Sequence, residues 1–132
     1  MIIRHTANRI QGHRTYKGVL IVPCRLNHTY RYCFLVDTGA TLTVISEQVA
    51  HDMGQDIQHP FRYMRIASVH QVIQVPVIRL DSLQVGSRKS DNIEVLVLSL
   101  PPDLRVDGLL GVNFLEKFRV TFEFDTSTLI LR

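Results

Sequence analysis

The sequence predicts a small, mostly antiparallel β domain with one or two short helices. Three observations predict it. Apolar residues recur at strand spacing along most of the chain, turn residues interrupt them at short intervals, and helical spacing is confined to two brief stretches. At 132 residues and 45% hydrophobic, the chain fits one globular domain with a core of its own. We read residues 18–132 as that domain and residues 1–17, which show no clean period, as a basic N-terminal arm or an edge strand.

From Gly18 the elements follow in order. Residues 19–26 read as a strand in which Pro23 marks an edge or a bulge, because proline cannot donate to a ladder. Asn27 and His28 supply turn chemistry, and Tyr30 to Val36 return as the second strand of a hairpin. Phe34, Leu35 and Val36 form an unbroken apolar run, so both faces of that strand are expected to be buried. The run ends directly on Asp37, Thr38, Gly39 and Ala40, which sets an ionisable group where desolvation is costly. A plain β-turn opening on aspartate explains the same four residues.

Residues 41–45 are rich in β-branched side chains and read as a strand. Ser46 then has the place of a helix N-cap, with Val49, Ala50 and Met53 at helical spacing and Gly54 as the stop. Residues 61–85 predict two or three strands with a bend near 68–71, and 86–92 predict an exposed turn. Residues 93–98 form a strand stopped by Pro101 and Pro102. Leu109 and Leu110, set between Gly108 and Gly111, read as a buried strand that another backbone approaches closely. Residues 113–118 give a helical turn capped by Asn113, and the strictly alternating 118–124 pairs with 128–131 as a closing hairpin.

Composition narrows the function classes. No apolar run approaches the roughly 20 residues of a membrane-spanning helix. Residues 1–5 lack the layout of a signal peptide, so a cytoplasmic location is the expectation. Cys24 and Cys33 flank the first hairpin and are expected as free, partly buried thiols. The histidines are scattered, no His/Asp/Glu cluster has ligand spacing, and a metal hydrolase is set aside. The net charge of +3 conceals an asymmetry, since residues 1–33 hold Arg4, Arg9, Arg14, Lys17, Arg25 and Arg31 and no acid. Such a start can touch nucleic acid, but it lacks the interleaved aromatics of a stacking platform, and a solvated arm is the preferred reading.

Two stretches together resemble the retropepsin family, the single-domain retroviral-type aspartic proteases. The first is the apolar run with Asp37, Thr38, Gly39 and Ala40, followed by 41–45; the second is Leu109, Leu110 and Gly111 with Asn113, Phe114 and Leu115. The likeness covers roughly residues 18–131. It is closer to bacterial-type members than to retroviral ones, on account of 107–111 and the closing hairpin. It implies a small closed β-barrel-like acid-protease fold and an aspartic endopeptidase without cofactor or metal, acting on extended polypeptides. It assigns catalysis to Asp37, the active-site loop to Thr38, Gly39 and Ala40, and support of that loop to Leu109, Leu110 and Gly111. Residues 64–78 would be the flap, although family flaps commonly carry glycine at the tip and none lies between Gly54 and Gly86.

The chemistry agrees. Peptide hydrolysis by carboxylates needs two of them about one water, and at roughly 3 Å the pair cannot both ionise, so they share a proton. The chain offers one Asp-Thr-Gly, so the second carboxylate must be Asp37 of another copy across a two-fold axis. Homodimerisation is therefore demanded by that mechanism. The alternative is a weak or inactive dimeric module of the same fold that binds peptide.

Overall fold

The computed structural model describes residues 8–15 and 18–132. Among them are eleven strands, two short α-helices and a 3-10 turn at Pro102–Leu104. Strands β3 (Leu20–Leu26), β4 (Tyr30–Val36), β9 (Gly108–Leu110), β5 (Thr43–Ser46), β8 (Arg88–Leu98) and β7 (Val72–Val85) lie side by side in that order. A further pairing of β3 with β7, through Arg25 with Gln84 and Leu26 with Leu83, closes them into a six-stranded barrel. β2 (His13–Arg14) and β6 (Arg62–Ala67) extend this sheet, and β1 (Asn8–Gln11), β11 (Thr128–Leu131) and β10 (Val120–Glu123) form a second one. The fold is mostly β, as expected, with antiparallel pairing everywhere except β4–β9 and β5–β8.

The barrel closes because its inward residues are large and apolar. Val22, Leu26, Phe34, Ile45, Leu80, Leu83, Leu110 and Phe114 are each almost wholly excluded from water. Every such side chain contributes about 1.5–3 kcal/mol over leaving it exposed. Pro23 sits where β3 has no second neighbour, between the residues paired with β2 and those paired with β7, so its missing N–H costs no ladder bond. Asn27 and His28 turn the first hairpin at positive φ. Helix α1 (Glu47–Asp52) starts where Ser46 Oγ accepts from the Val49 N–H at 3.1 Å and buries Val49 and Ala50.

Several expectations need correction. Within residues 1–17 the described part follows the edge-strand alternative rather than a free arm: β1 pairs with β11 and buries Ile10, and β2 pairs with β3. Residues 1–7, 16 and 17 lie outside the described residues. The strand expected from Thr41 begins at Thr43, because Thr41 and Leu42 belong to the preceding bend. The turn expected over 86–92 is confined to Gly86 and Ser87; Arg88 already pairs with Val85, and Ser90 is buried opposite Leu83. Asn113 does not cap a helix. Helix α2 (Val112–Leu115) has Gly111 at its N-cap, and the Asn113 side chain reaches elsewhere.

Candidate active site

Asp37 is the first residue past β4, and the parallel partner β9 positions it. Phe34, Leu35 and Val36 pair with Gly108, Leu109 and Leu110, and the ladder is continued by the Asp37 N–H, which donates to the Leu110 carbonyl at 3.0 Å. The chain then turns tightly, with the Ala40 N–H donating to the Asp37 carbonyl at 3.2 Å. The Gly39 N–H donates to Asp37 Oδ1 at 2.8 Å, so one carboxylate oxygen is fixed by the backbone. Asp37 itself is half-buried in the single chain, while Thr38 and Gly39 are exposed.

Residues 110–113 hold this turn from the other side. The Val112 N–H donates to the Ala40 carbonyl at 2.8 Å, and the Asn113 N–H to the Thr41 carbonyl at 3.1 Å. Gly111 makes the approach possible. A Cβ there would lie 2.7 Å from Leu42 C and Thr43 N and 2.8 Å from the Ala40 carbonyl oxygen, all backbone atoms. The structure thus brings Asp37, Thr38, Gly39 and Ala40 together with Leu109, Leu110 and Gly111 in one place.

Asp107 is a clamp between strands. Its Oδ2 accepts from the Cys33 N–H at 2.9 Å, its own N–H donates to the Cys33 carbonyl, and its carbonyl accepts from Ser46. The cysteines cannot pair: Cys24 stands opposite Tyr32 and Cys33 opposite Pro23, so they point to opposite faces of the sheet. Both thiols are free, Cys24 buried and Cys33 exposed, and burial pushes the Cys24 thiol up.

β6 and the first half of β7 form an antiparallel hairpin. Val75, with Met64 and Ile66, packs on the same apolar cluster as Val44, Leu42 and Leu109, so the hairpin rests on the elements that carry the turn. Its tip closes without glycine because it requires no positive φ. The Ser68 N–H and hydroxyl donate to the Gln71 carbonyl at 2.8 and 3.1 Å, and the Gln71 N–H donates back to Ser68 Oγ. At its base, the Arg62 guanidinium grips both oxygens of Glu94 at 3.1 and 3.2 Å, which holds that carboxyl below the usual glutamate range.

Sequence reasoning assigned no site role to Thr43 or Asn113. Asn113 Oδ1 accepts from both the N–H and the hydroxyl of Thr43, at 2.8 and 2.9 Å. Its Nδ2 donates to the Glu94 carbonyl at 2.8 Å. The available signal was a threonine in a strand whose other core-facing neighbours are aliphatic.

The family profile described as "gag-polyprotein putative aspartyl protease" matches residues 22–117, from β3 through α2. The chain belongs to this family. The crystal structure of a retropepsin-like aspartic protease from Rickettsia conorii superposes with a TM-score of 0.72 at 28% identity, covering 93% of this chain and 89% of that one. The closed barrel is therefore that of a retropepsin-like aspartic protease of bacterial type. No curated protein matches the chain in sequence. Among the described residues no three His, Cys, Asp or Glu side chains cluster as metal ligands would, and no helix is long and apolar enough to cross a membrane.

Proposed function

We propose that the protein is an aspartic endopeptidase acting as a homodimer, in which the Asp37 carboxylates of two copies share one proton and one water. The observation that carries this reading is the placement of Asp37 just past the buried Phe34 and Leu35 of β4, with Oδ1 fixed by the Gly39 N–H, in a chain of this family. The ionised carboxylate takes a proton from the water as its oxygen attacks the scissile carbonyl carbon. The protonated one donates to the carbonyl oxygen, and a proton passed to the leaving nitrogen completes cleavage. Exposed Thr38 would bond across the two-fold axis and keep the two turns in register, and Ala40 would line the cleft. Leu109, Leu110 and Gly111 brace the loop. The β6–β7 hairpin is the flap, and its exposed Val69, Val72 and Ile73 suit it to cover an extended polypeptide. The reaction calls for no cofactor or metal. We place it in the cytoplasm, with nucleic acid not among its partners.

The alternative is a catalytically weak or inactive dimeric peptide-binding module of the same fold, favoured by a flap with no glycine between Gly54 and Gly86. The test is cleavage of a mixed peptide library at several pH values by wild type and Asp37→Asn, with the mass of each in solution. Cleavage by a wild-type dimer that is lost in the variant is expected. A dimer inert at every pH favours the binding module, and a monomer that cleaves refutes the shared pair.

A further inference from the structure

We propose that the Thr43 hydroxyl, held by Asn113, is a positioning group for the candidate catalytic carboxylate, acting through the single peptide unit between Leu110 and Gly111. The inference rests on the aspartic-protease reading of Asp37. That peptide unit is gripped at both ends. Its N–H, from Gly111, donates to Thr43 Oγ1 at 3.0 Å, and its carbonyl, from Leu110, accepts from the Asp37 N–H at 3.0 Å. A peptide unit is planar and rigid, so whatever fixes the orientation of its N–H fixes its carbonyl too. The Thr43 hydroxyl therefore sets the acceptor on which the Asp37 backbone hangs.

The hydroxyl has one way to do this. Asn113 Oδ1 has no hydrogen to give, so Thr43 Oγ1 must donate to it, at 2.9 Å, and this turns a lone pair toward Gly111. Asn113 is held in turn: its Oδ1 also accepts from the Thr43 N–H at 2.8 Å, and its Nδ2 donates to the Glu94 carbonyl at 2.8 Å on β8. Thr43 is fully buried and Gly111 is buried, so water cannot replace the hydroxyl as acceptor. The Glu94 side chain is the partner of Arg62 at the foot of the hairpin, so Asn113 ties the flap base to the same support.

The test separates hydroxyl from methyl. Thr43→Val keeps the shape and removes the hydroxyl, and Thr43→Ser keeps the hydroxyl and removes the methyl. With a peptide substrate, and at a temperature where circular dichroism shows each variant folded, Thr43→Val is expected to lower kcat by about 10- to 100-fold, the range for a misplaced reacting group. KM should stay within about twofold, since the support does not touch peptide. Thr43→Ser should keep most of the activity. Amide hydrogen exchange at Gly111 and Asp37 should quicken in the valine variant alone. A folded Thr43→Val with wild-type kcat and wild-type exchange at both amides overturns the proposal, as does a serine variant as impaired as the valine one. If Thr43→Val does not fold, Asn113→Ala, at a half-buried position, is read the same way. If the wild type proves inert, the protease reading fails, and the exchange rates still decide whether Thr43 holds the turn.

Discussion

Replacing Gly111 by alanine is the most direct probe of how the candidate catalytic turn is held. Gly111 has φ −97° and ψ −179°, extended backbone that any residue adopts, so alanine brings no conformational strain of its own. The whole effect is steric. The new Cβ would lie 2.7 Å from Leu42 C and Thr43 N, about 0.7 Å inside the 3.4 Å at which ordinary contact begins, and 2.8 Å from the Ala40 carbonyl oxygen. None of the three can yield freely. Ala40 O accepts from the Val112 N–H, and Thr43 N donates to Asn113 Oδ1. Relief requires the 40–43 segment to move away from 110–113 by several tenths of an ångström, which stretches the bonds on which Asp37 depends. Overpacking of this kind costs about 1–3 kcal/mol. In a domain of this size that lowers Tm by roughly 3–10 °C. Thermal and urea unfolding at fixed protein concentration measure it, since the proposed dimerisation would make Tm depend on concentration. Displacement of the turn should also lower kcat on a peptide substrate by about tenfold or more. A Gly111→Ala variant melting within about 1 °C of wild type would show that the two segments are not packed as described.

Three further outcomes follow from the same geometry. Asp107→Asn keeps an oxygen for the Cys33 N–H, so the variant should retain cleavage activity that Asp37→Asn abolishes; equal loss in both would assign Asp107 a catalytic part. A thiol reagent under native conditions should add one label, at Cys33, because Cys24 is buried and its thiol raised, and mass spectrometry of the digest finds the site. Rapid labelling of Cys24 would contradict the packing of β3. The third concerns pH. The Arg62 contact lowers the Glu94 carboxyl in the folded chain, so its stabilisation is present above the ordinary glutamate pKa and is lost as pH falls through the lowered value. Arg62→Gln should therefore cost stability at neutral pH and little once Glu94 is protonated. An equal cost at both pH values would show that the ion pair does not hold the hairpin base.

What the sequence settles by itself is what local chemistry settles. The β3–β4 hairpin follows from the turn chemistry of Asn27 and His28 between two apolar strand-sized stretches, and α1 from a serine whose hydroxyl meets an N–H three residues on. The loop from Asp37 to Ala40 is legible because an aliphatic run meets an acid and a glycine without a spacer. The tertiary structure alone decides whatever joins residues far apart in the chain. Closure of β3 on β7, the parallel docking of β9 beside β4 and the strand pairing of β1 with β11 depend on registers that no local period encodes. The same holds for Asn113, which reads as a helix cap in the sequence but lies inside α2. Its side chain instead bonds Thr43, 70 residues earlier, because folding brings a buried hydroxyl and the Glu94 carbonyl within reach of one amide. Turn and helix signals act over a few residues and survive in the sequence; a buried polar group takes whichever partner the packed chain supplies.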